Sequence, residues 1–209
     1  MNEPHDLIGY ASRTGTKRNL GVLRDRGWRL MVSAAASLRS EGFKYALDNG
    51  AWSAFTQGRS FDDRAFVIAL RKLGRDADWT VIPDIVSGGH ESLELSIRWM
   101  RVVLDECERG LLAVQDGIEV HDVQHLIGPR VGIFVGGSTQ YKLRSMHAWS
   151  RLARERGAWC HVGRVNSARR IALCQSARVH SFDGTSVSRF AKTMPLLDAA
   201  RRQTHLALE

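Results

Sequence analysis

Arg178-Val179-His180-Ser181-Phe182-Asp183-Gly184-Thr185-Ser186-Val187-Ser188-Arg189 reads as a short apolar strand, one carboxylate, a Gly/Thr/Ser turn and the start of a final helix. The strand is predicted over Val179 to Phe182, with Asp183 at its C-terminal end. Parallel α/β folds build their chemistry at that end of their strands. A second segment of the same kind, Tyr45-Ala46-Leu47-Asp48-Asn49-Gly50, lies far upstream. The two acids are expected to face each other in one pocket.

Working outward, further strands are predicted at Leu7 to Tyr10, Arg29 to Ala34, Lys44 to Leu47 and Asp78 to Ile82. Leu111 to Val114, Val131 to Val135 and Trp159 to Val162 complete the set. Helical signals fall between most of them. Thr16 can cap a helix that runs to about Arg26 and Gly27, and Asp62 can cap one carrying Phe66, Leu70 and Leu73. Leu93, Ile97, Met100, Leu104 and Cys107 form one apolar stripe, read as core and closed by Gly110. Shorter or later helices are predicted near His121 to Ile127, around Met146, Trp149 and Leu152, over Ser167 to Ala177, and from Ser188 to Gln203. Pro195 is placed to start a second helix in the last of these. Ala35 to Gly42 is ambiguous, with a short helix as one reading. Eight strand-like units in β-α order fit a compact (β/α)8 TIM barrel better than an open sheet. No composition break divides residues 1–209, so a single domain is expected.

The 209 residues are 44% hydrophobic and 25% charged, an ordinary globular balance. No apolar run approaches the roughly 20 residues that span a bilayer. Met1 to Asp6 is polar and lacks a signal-peptide core, so a cytoplasmic protein is expected. Cys107, Cys160 and Cys174 are scattered, without Cys-x-x-Cys or Cys/His clusters. They read as small buried hydrophobes, and neither a metal nor a cofactor is expected. Thirty Lys and Arg residues against 22 Asp and Glu give a net charge of +8, which favours a polyanionic partner, nucleic acid first.

The strand ends carry Asp48, Asp84, Gln115, Gly136-Gly137, Gly163-Arg164 and Asp183. Carboxylates accept from ring N–H and amino groups, an amide both donates and accepts, and a glycine pair lets backbone approach a ring closely. The set suits a flat heterocycle, with a further carboxylate available as nucleophile at an anomeric carbon. No Ser/His/Asp triad, amidohydrolase-type His-x-His or radical-enzyme cysteine cluster accompanies it. His90, His121, His125 and His147 lack ligand spacing and read as surface or helix residues. Trp52 and Phe55 follow the Asp48 turn; either can stack on a base, but they are expected to pack in the core.

At these residues the sequence resembles the tRNA-guanine transglycosylase superfamily. Ser181 to Arg189 is similar to its nucleophile segment, with Phe182-Asp183 followed by Arg189 at the family spacing. His161-Val162-Gly163-Arg164, Val135-Gly136-Gly137-Ser138 and Val114-Gln115-Asp116-Gly117 resemble its later strand ends. Asp84 falls where the family has a base-recognising Asp, and Leu47 to Trp52 resembles its Asp-Ser-Gly-Gly-Phe segment. Several weak motifs in the right order are more specific than any one. The family fold is also a (β/α)8 barrel.

The tRNA enzymes carry a C-terminal zinc site of cysteines and a histidine, and this chain has none after its eighth strand. The resemblance therefore implies the compact 7-deazaguanine DNA transglycosylases of phages and bacterial genomic islands. It implies exchange of guanine in nucleic acid, DNA favoured over tRNA, for a free 7-deazaguanine such as preQ0. Asp183 is expected as nucleophile and Asp48 as general acid/base. The resemblance gives base reading to Asp84, Gln115, Gly136 and Gly137. Arg13, Lys17, Arg164 and Arg189 are expected to hold phosphates. A base-releasing glycosylase or nucleosidase, and a non-catalytic nucleic-acid or base-binding barrel, are the alternatives. Nothing in the sequence sets the oligomeric state.

Overall fold

The computed structural model describes residues 7–12, 16–189 and 193–203. Eight strands run β1 (Ile8–Ser12), β2 (Arg29–Ser33), β3 (Tyr45–Asp48), β4 (Thr80–Val81), β5 (Gly110–Val114), β6 (Val131–Val135), β7 (Cys160–Val162) and β8 (Ser181–Gly184). They close in sequence order, every pair parallel. β8 pairs with β1 to complete the ring, with Gly9 opposite Phe182 and Tyr10 opposite Asp183. This is the (β/α)8 barrel that the strand count predicts.

The helices are α1 (Lys17–Asp25), α2 (Ala51–Thr56), α3 (Asp63–Leu73), α4 (Gly89–Glu106), α5 (Val120–Val123), α6 (Thr139–Glu155), α7 (Ala168–Ser176), α8 (Ser186–Arg189) and α9 (Met194–Arg202). Their starts follow local capping chemistry. The side chains of Asp62, Ser138 and Ser167 each accept from a backbone N–H in the first turn of α3, α6 and α7. Pro195 sits in the first turn of α9, where its missing N–H costs nothing.

Several elements differ from the sequence expectation. Residues 35–42 form turns and extended backbone, so β2 passes to β3 without a helix. β8 begins two residues later than predicted and includes Asp183 and Gly184, because these pair with Tyr10 and Ala11 of β1. Gly110 opens β5 rather than closing α4, whose last turn ends at an extended Cys107. Ile97, read as core, is 46% exposed. The buried face of α4 is rotated to include Ser92 and Ser96, which hold the loop after β4. Ser96 Oγ donates to Pro83 O at 2.8 Å, and Ser92 Oγ accepts from Ile85 N at 3.0 Å.

Within the barrel, Tyr10, Ala46, Trp79, Val81 and Leu111 form a small core separate from the larger one between strands and helices. Tyr10 meets Trp79 edge-on at 5.1 Å between ring centroids, and the His161 ring lies 4.5 Å from Trp79 and 5.0 Å from Phe134. At the N-terminal end of the strands, Asp78 accepts from Tyr10 Oη at 2.9 Å and pairs with Arg29 at 2.8 Å. That end is therefore packed and sealed, and the opposite end carries the accessible polar groups. Cys107, Cys160 and Cys174 are buried and unpaired. Among the described residues, no helix is long and apolar enough to cross a membrane.

Candidate active site

Asp183 is delivered to the mouth by β8, and its side chain is only 13% exposed. Its Oδ1 accepts from the Arg164 backbone N–H at 3.1 Å and lies 3.0 Å from Nε2 of His161. The other imidazole nitrogen, Nδ1, lies 2.9 Å from Ser181 Oγ, which also accepts from Trp159 Nε1 at 2.9 Å. These partners assign the tautomer. The Asp183 carboxylate can only accept, so Nε2 carries the proton, and in the neutral ring Nδ1 accepts from Ser181 Oγ, which also takes the indole N–H. His161 is fully buried, and burial holds its pKa below the ordinary histidine value even though Asp183 pulls the other way. The pair is a neutral imidazole donating to a carboxylate.

The turn after β7 holds the rest of the Asp183 cradle. Arg164 is left-handed, with φ of 57°, an uncommon conformation for a residue other than glycine. It is fixed from below: Lys142 on α6, itself buried, donates from Nζ to Gly163 O at 2.7 Å. Burial, with Arg164 nearby, lowers Lys142 to about 8, although Asp183 opposes the shift. A Cβ at position 163 would lie 2.8 Å from the Phe134 ring, so this close approach of β7 to β6 requires glycine.

Asp48 ends β3, where Gly50 N donates to Oδ2 at 3.1 Å. Its pKa is raised to about 6, first by burial and then by the charges of Asp183 and Asp84. Donation from Ser33 and Gly50 opposes the rise without cancelling it. Asp48 thus lies within reach of the charges of Asp183 and Asp84. Asp84, after β4, is raised by burial against the effect of Asn49, whose Nδ2 donates to Asp84 Oδ1 at 2.8 Å. Asn49 also donates to Ile82 O at 3.0 Å and accepts from Ala51 N at 2.9 Å, so one buried amide joins the ends of β3 and β4.

Gln115 lies at the end of β5 but braces a loop. Its Oε1 accepts from Ser87 N at 2.7 Å and its Nε2 donates to Ile85 O at 2.8 Å. Both functions of the amide are thus engaged with backbone. Gly136 extends the β6 ladder by donating to Val114 O at 2.8 Å. Gly137 is left-handed, with φ of 72°, and a Cβ there would lie 2.5 Å from Asp116 Oδ2. Asp116 clips this turn by accepting from Ser138 N and Oγ at 2.6 and 2.7 Å.

Among the expected phosphate contacts, Lys17 is exposed at the start of α1, beside the C-terminal end of β1. Arg13 lies outside the described residues, as does the side chain of Arg189, whose backbone ends α8. Arg164 is half-buried and held within the mouth. Its Nη2 donates to Gly137 O at 2.5 Å, and its guanidinium carbon sits 4.0 Å from the centroid of the Trp52 ring. Trp52 and Phe55, expected in the core, are 42% and 54% exposed. The left-handed Gly50 turns the chain so that α2 starts at the mouth, and the two rings stand 5.8 Å apart on its outer face.

His161, Lys142 and Asn49 were not among the expected site residues. His161 occupies an inward position on β7, directly across the register from Ser181 on β8. Two residues beyond Ser181 on the same face stands Asp183. Lys142 and Asn49 act through backbone contacts that sequence spacing does not reveal. Among the described residues, no group of three or more His, Cys, Asp or Glu side chains is arranged to hold a metal ion. The fold and mouth together define a (β/α)8 barrel with three clustered strand-end carboxylates. No family model matches the chain, and no match is found among curated proteins.

Proposed function

We propose that this barrel is a nucleobase transglycosylase that exchanges guanine in nucleic acid, with DNA favoured, for a free 7-deazaguanine such as preQ0. The observation that carries the reading is the contrast between Asp183 and Asp48. Asp183 accepts two hydrogen bonds on Oδ1, leaving Oδ2 to attack, whereas Asp48 is shifted to about 6, where it exchanges a proton near neutral pH. Paired acids in separate environments are what double displacement at an anomeric carbon uses.

In the first step Oδ2 of Asp183 bonds to C1′ as the glycosidic C1′–N9 bond breaks. The electron pair goes to the departing guanine, and protonated Asp48 supplies its proton. In the second step N9 of the incoming base bonds to C1′, its N9 proton passes to Asp48, and the Asp183 ester bond breaks. Configuration at C1′ is retained and both acids return to their starting forms. The target nucleotide leaves the stack, since neither C1′ nor the base edge is reachable in a duplex. The identity of the acceptor rests on the resemblance of residues 181–189 and the earlier strand ends, and the polymer on the net charge of +8 and that resemblance.

The test is nucleoside mass spectrometry of DNA and of tRNA after incubation with preQ0 or preQ1, alongside release of labelled guanine. Exchange into DNA that requires added base is expected. Release without added base points to hydrolysis, and no release from either polymer rejects the enzyme. Asp183→Ala is expected to abolish the covalent adduct trapped on denaturing gels. Polymer affinity is expected to fall steeply with salt, and a flat dependence contradicts phosphate contact.

A further inference from the structure

The Arg164 side chain links the turn after β7 to the end of β6 and to α2. Its backbone N–H is bonded to Asp183, its guanidinium reaches Gly137 O at the end of β6, and the guanidinium carbon stands 4.0 Å from the centroid of the Trp52 ring. Two groups at the mouth, the Gly137 carbonyl that the resemblance gives to base reading and the Trp52 face that can stack on a base, thus converge on the guanidinium. That group is planar, delocalised and donor-only. The amino-pyrimidine edge of a guanine-type base presents the same features: a flat π-face and a fork of N–H donors.

We propose that Arg164 is a built-in occupant of the heterocycle site, filling the slot between the Trp52 face and the Gly137 carbonyl, so that a planar amino-heterocycle binds only by displacing it. This rests on the base-exchange reading and deepens it by naming a specificity-determining residue. The backbone of Arg164 stays where it is. It is fixed in the left-handed region, bonded to Asp183 and backed by the Lys142–Gly163 contact, so displacement is a rotation of the side chain alone. Burial disfavours the charged form of the guanidinium, against the pull of Asp183. A ligand lacking either a π-face or a donor edge offers no replacement for what the guanidinium loses, and is rejected. By the strength of an Arg–aromatic stack, the occupant lowers the apparent affinity for the base by about tenfold.

The experiment is calorimetric titration of the whole chain with free preQ0 and with guanine, comparing wild type with Arg164→Ala and Arg164→Asn. The Asn variant tolerates a positive φ and is too short to reach Trp52, so it carries the test if the Ala variant does not fold. Binding about tenfold tighter in the variants is expected. Binding that is unchanged or weaker overturns the proposal, because a group that contacts bound ligand or serves only phosphate does not compete with the base. Base exchange into DNA, measured on the same wild-type preparation, reads the reaction separately. Exchange without a gain in affinity removes the occupant and leaves the reaction standing. A gain in affinity without exchange supports the occupant and removes the reaction. Absence of both exchange and base binding overturns both.

Discussion

His161 Nε2 stands 3.0 Å from Asp183 Oδ1 with its imidazole fully buried, and every donor behind it points the same way. Trp159 donates to Ser181, Ser181 to His161, and His161 to Asp183. The direction is set at its end by a carboxylate that can only accept. The relay holds Oδ1 of the carboxylate, and on the proposed reading Oδ2 is the nucleophile.

Replacing His161 by Phe keeps a flat ring between Trp79 and Phe134 but removes the donor to Asp183. Asp183 then retains only the Arg164 N–H on Oδ1. A fall in kcat of about 100-fold is expected, with KM for the free base unchanged, since misplacing a reacting group costs on that order. Steady-state kinetics check it, with Tm as a control for folding. A loss confined to KM or to Tm contradicts a role in positioning the nucleophile.

Asp48 gives a prediction in which stability and activity move oppositely. Its folded pKa, about 6, lies above the ordinary value of 3.8. The folded state therefore binds the proton more tightly, and this contribution is fully present below about 3.8 and lost as pH rises through 6. At pH 7.5 wild type bears the cost of an ionised carboxylate close to two others. Asp48→Asn removes that cost and keeps an oxygen for Gly50 N. It is expected to be more stable than wild type by about 2 kcal/mol at pH 7.5, with the gap closing at pH 4. Denaturant midpoints at the two pH values measure this. Base exchange by the variant is expected to be lost, since an amide moves no proton.

Much of this was legible in the sequence, and the failures have physical causes. β6 was read with its full bounds because Val131 to Val135 is apolar throughout, as a strand buried on both faces should be. The buried face of α4 was misjudged because apolar periodicity does not register serines that hydrogen-bond backbone, and Ser92 and Ser96 take the inward positions while Ile97 faces out. The acids were visible as strand ends, since Asp48, Asp84 and Asp183 need only their own strands to be placed. His161 needed the register between β7 and β8, a long-range fact, to be recognised as the partner of Asp183. Trp52 and Arg164 needed two left-handed residues, Gly50 and Arg164 itself, to be brought face to face.

Asp198 ties the last helix to the first turn of the barrel. It is buried, and it accepts from Trp28 Nε1 at 2.9 Å and pairs with Arg26, Arg201 and Arg202 at 3.0 Å each. Burial would raise its pKa, but these donors win and hold it below the ordinary carboxylate range. Its contribution to stability is therefore fully present above that range and lost as pH falls from it through the lowered folded value. Asp198→Ala leaves an indole N–H and the partly buried Arg201 without their acceptor, and a loss of about 3 kcal/mol is expected. Thermal unfolding at pH 7 checks this, and a change below about 0.5 kcal/mol would show that the cluster holds nothing together.

Lys142 supports the Arg164 turn from within α6, at a cost that varies with pH. Its pKa, lowered to about 8 from 10.5, means that the unfolded chain binds the proton more tightly. Wild type bears the full penalty below pH 8 and is relieved of it as pH rises towards 10.5, so this residue makes stability increase across that window. Lys142→Met keeps the unbranched stem and abolishes the slope. The difference in unfolding free energy between variant and wild type is expected to shift by about 2 kcal/mol in favour of wild type between pH 7.5 and 10, measured by denaturant midpoints. The variant also frees Gly163 O and with it the turn that points Arg164 N at Asp183. A tenfold or greater fall in kcat is therefore expected at pH 7.5, where the variant is at its most stable relative to wild type. Loss of rate without loss of stability separates support of the nucleophile from support of the fold. An unchanged kcat would mean that the β7 turn holds its shape without the lysine.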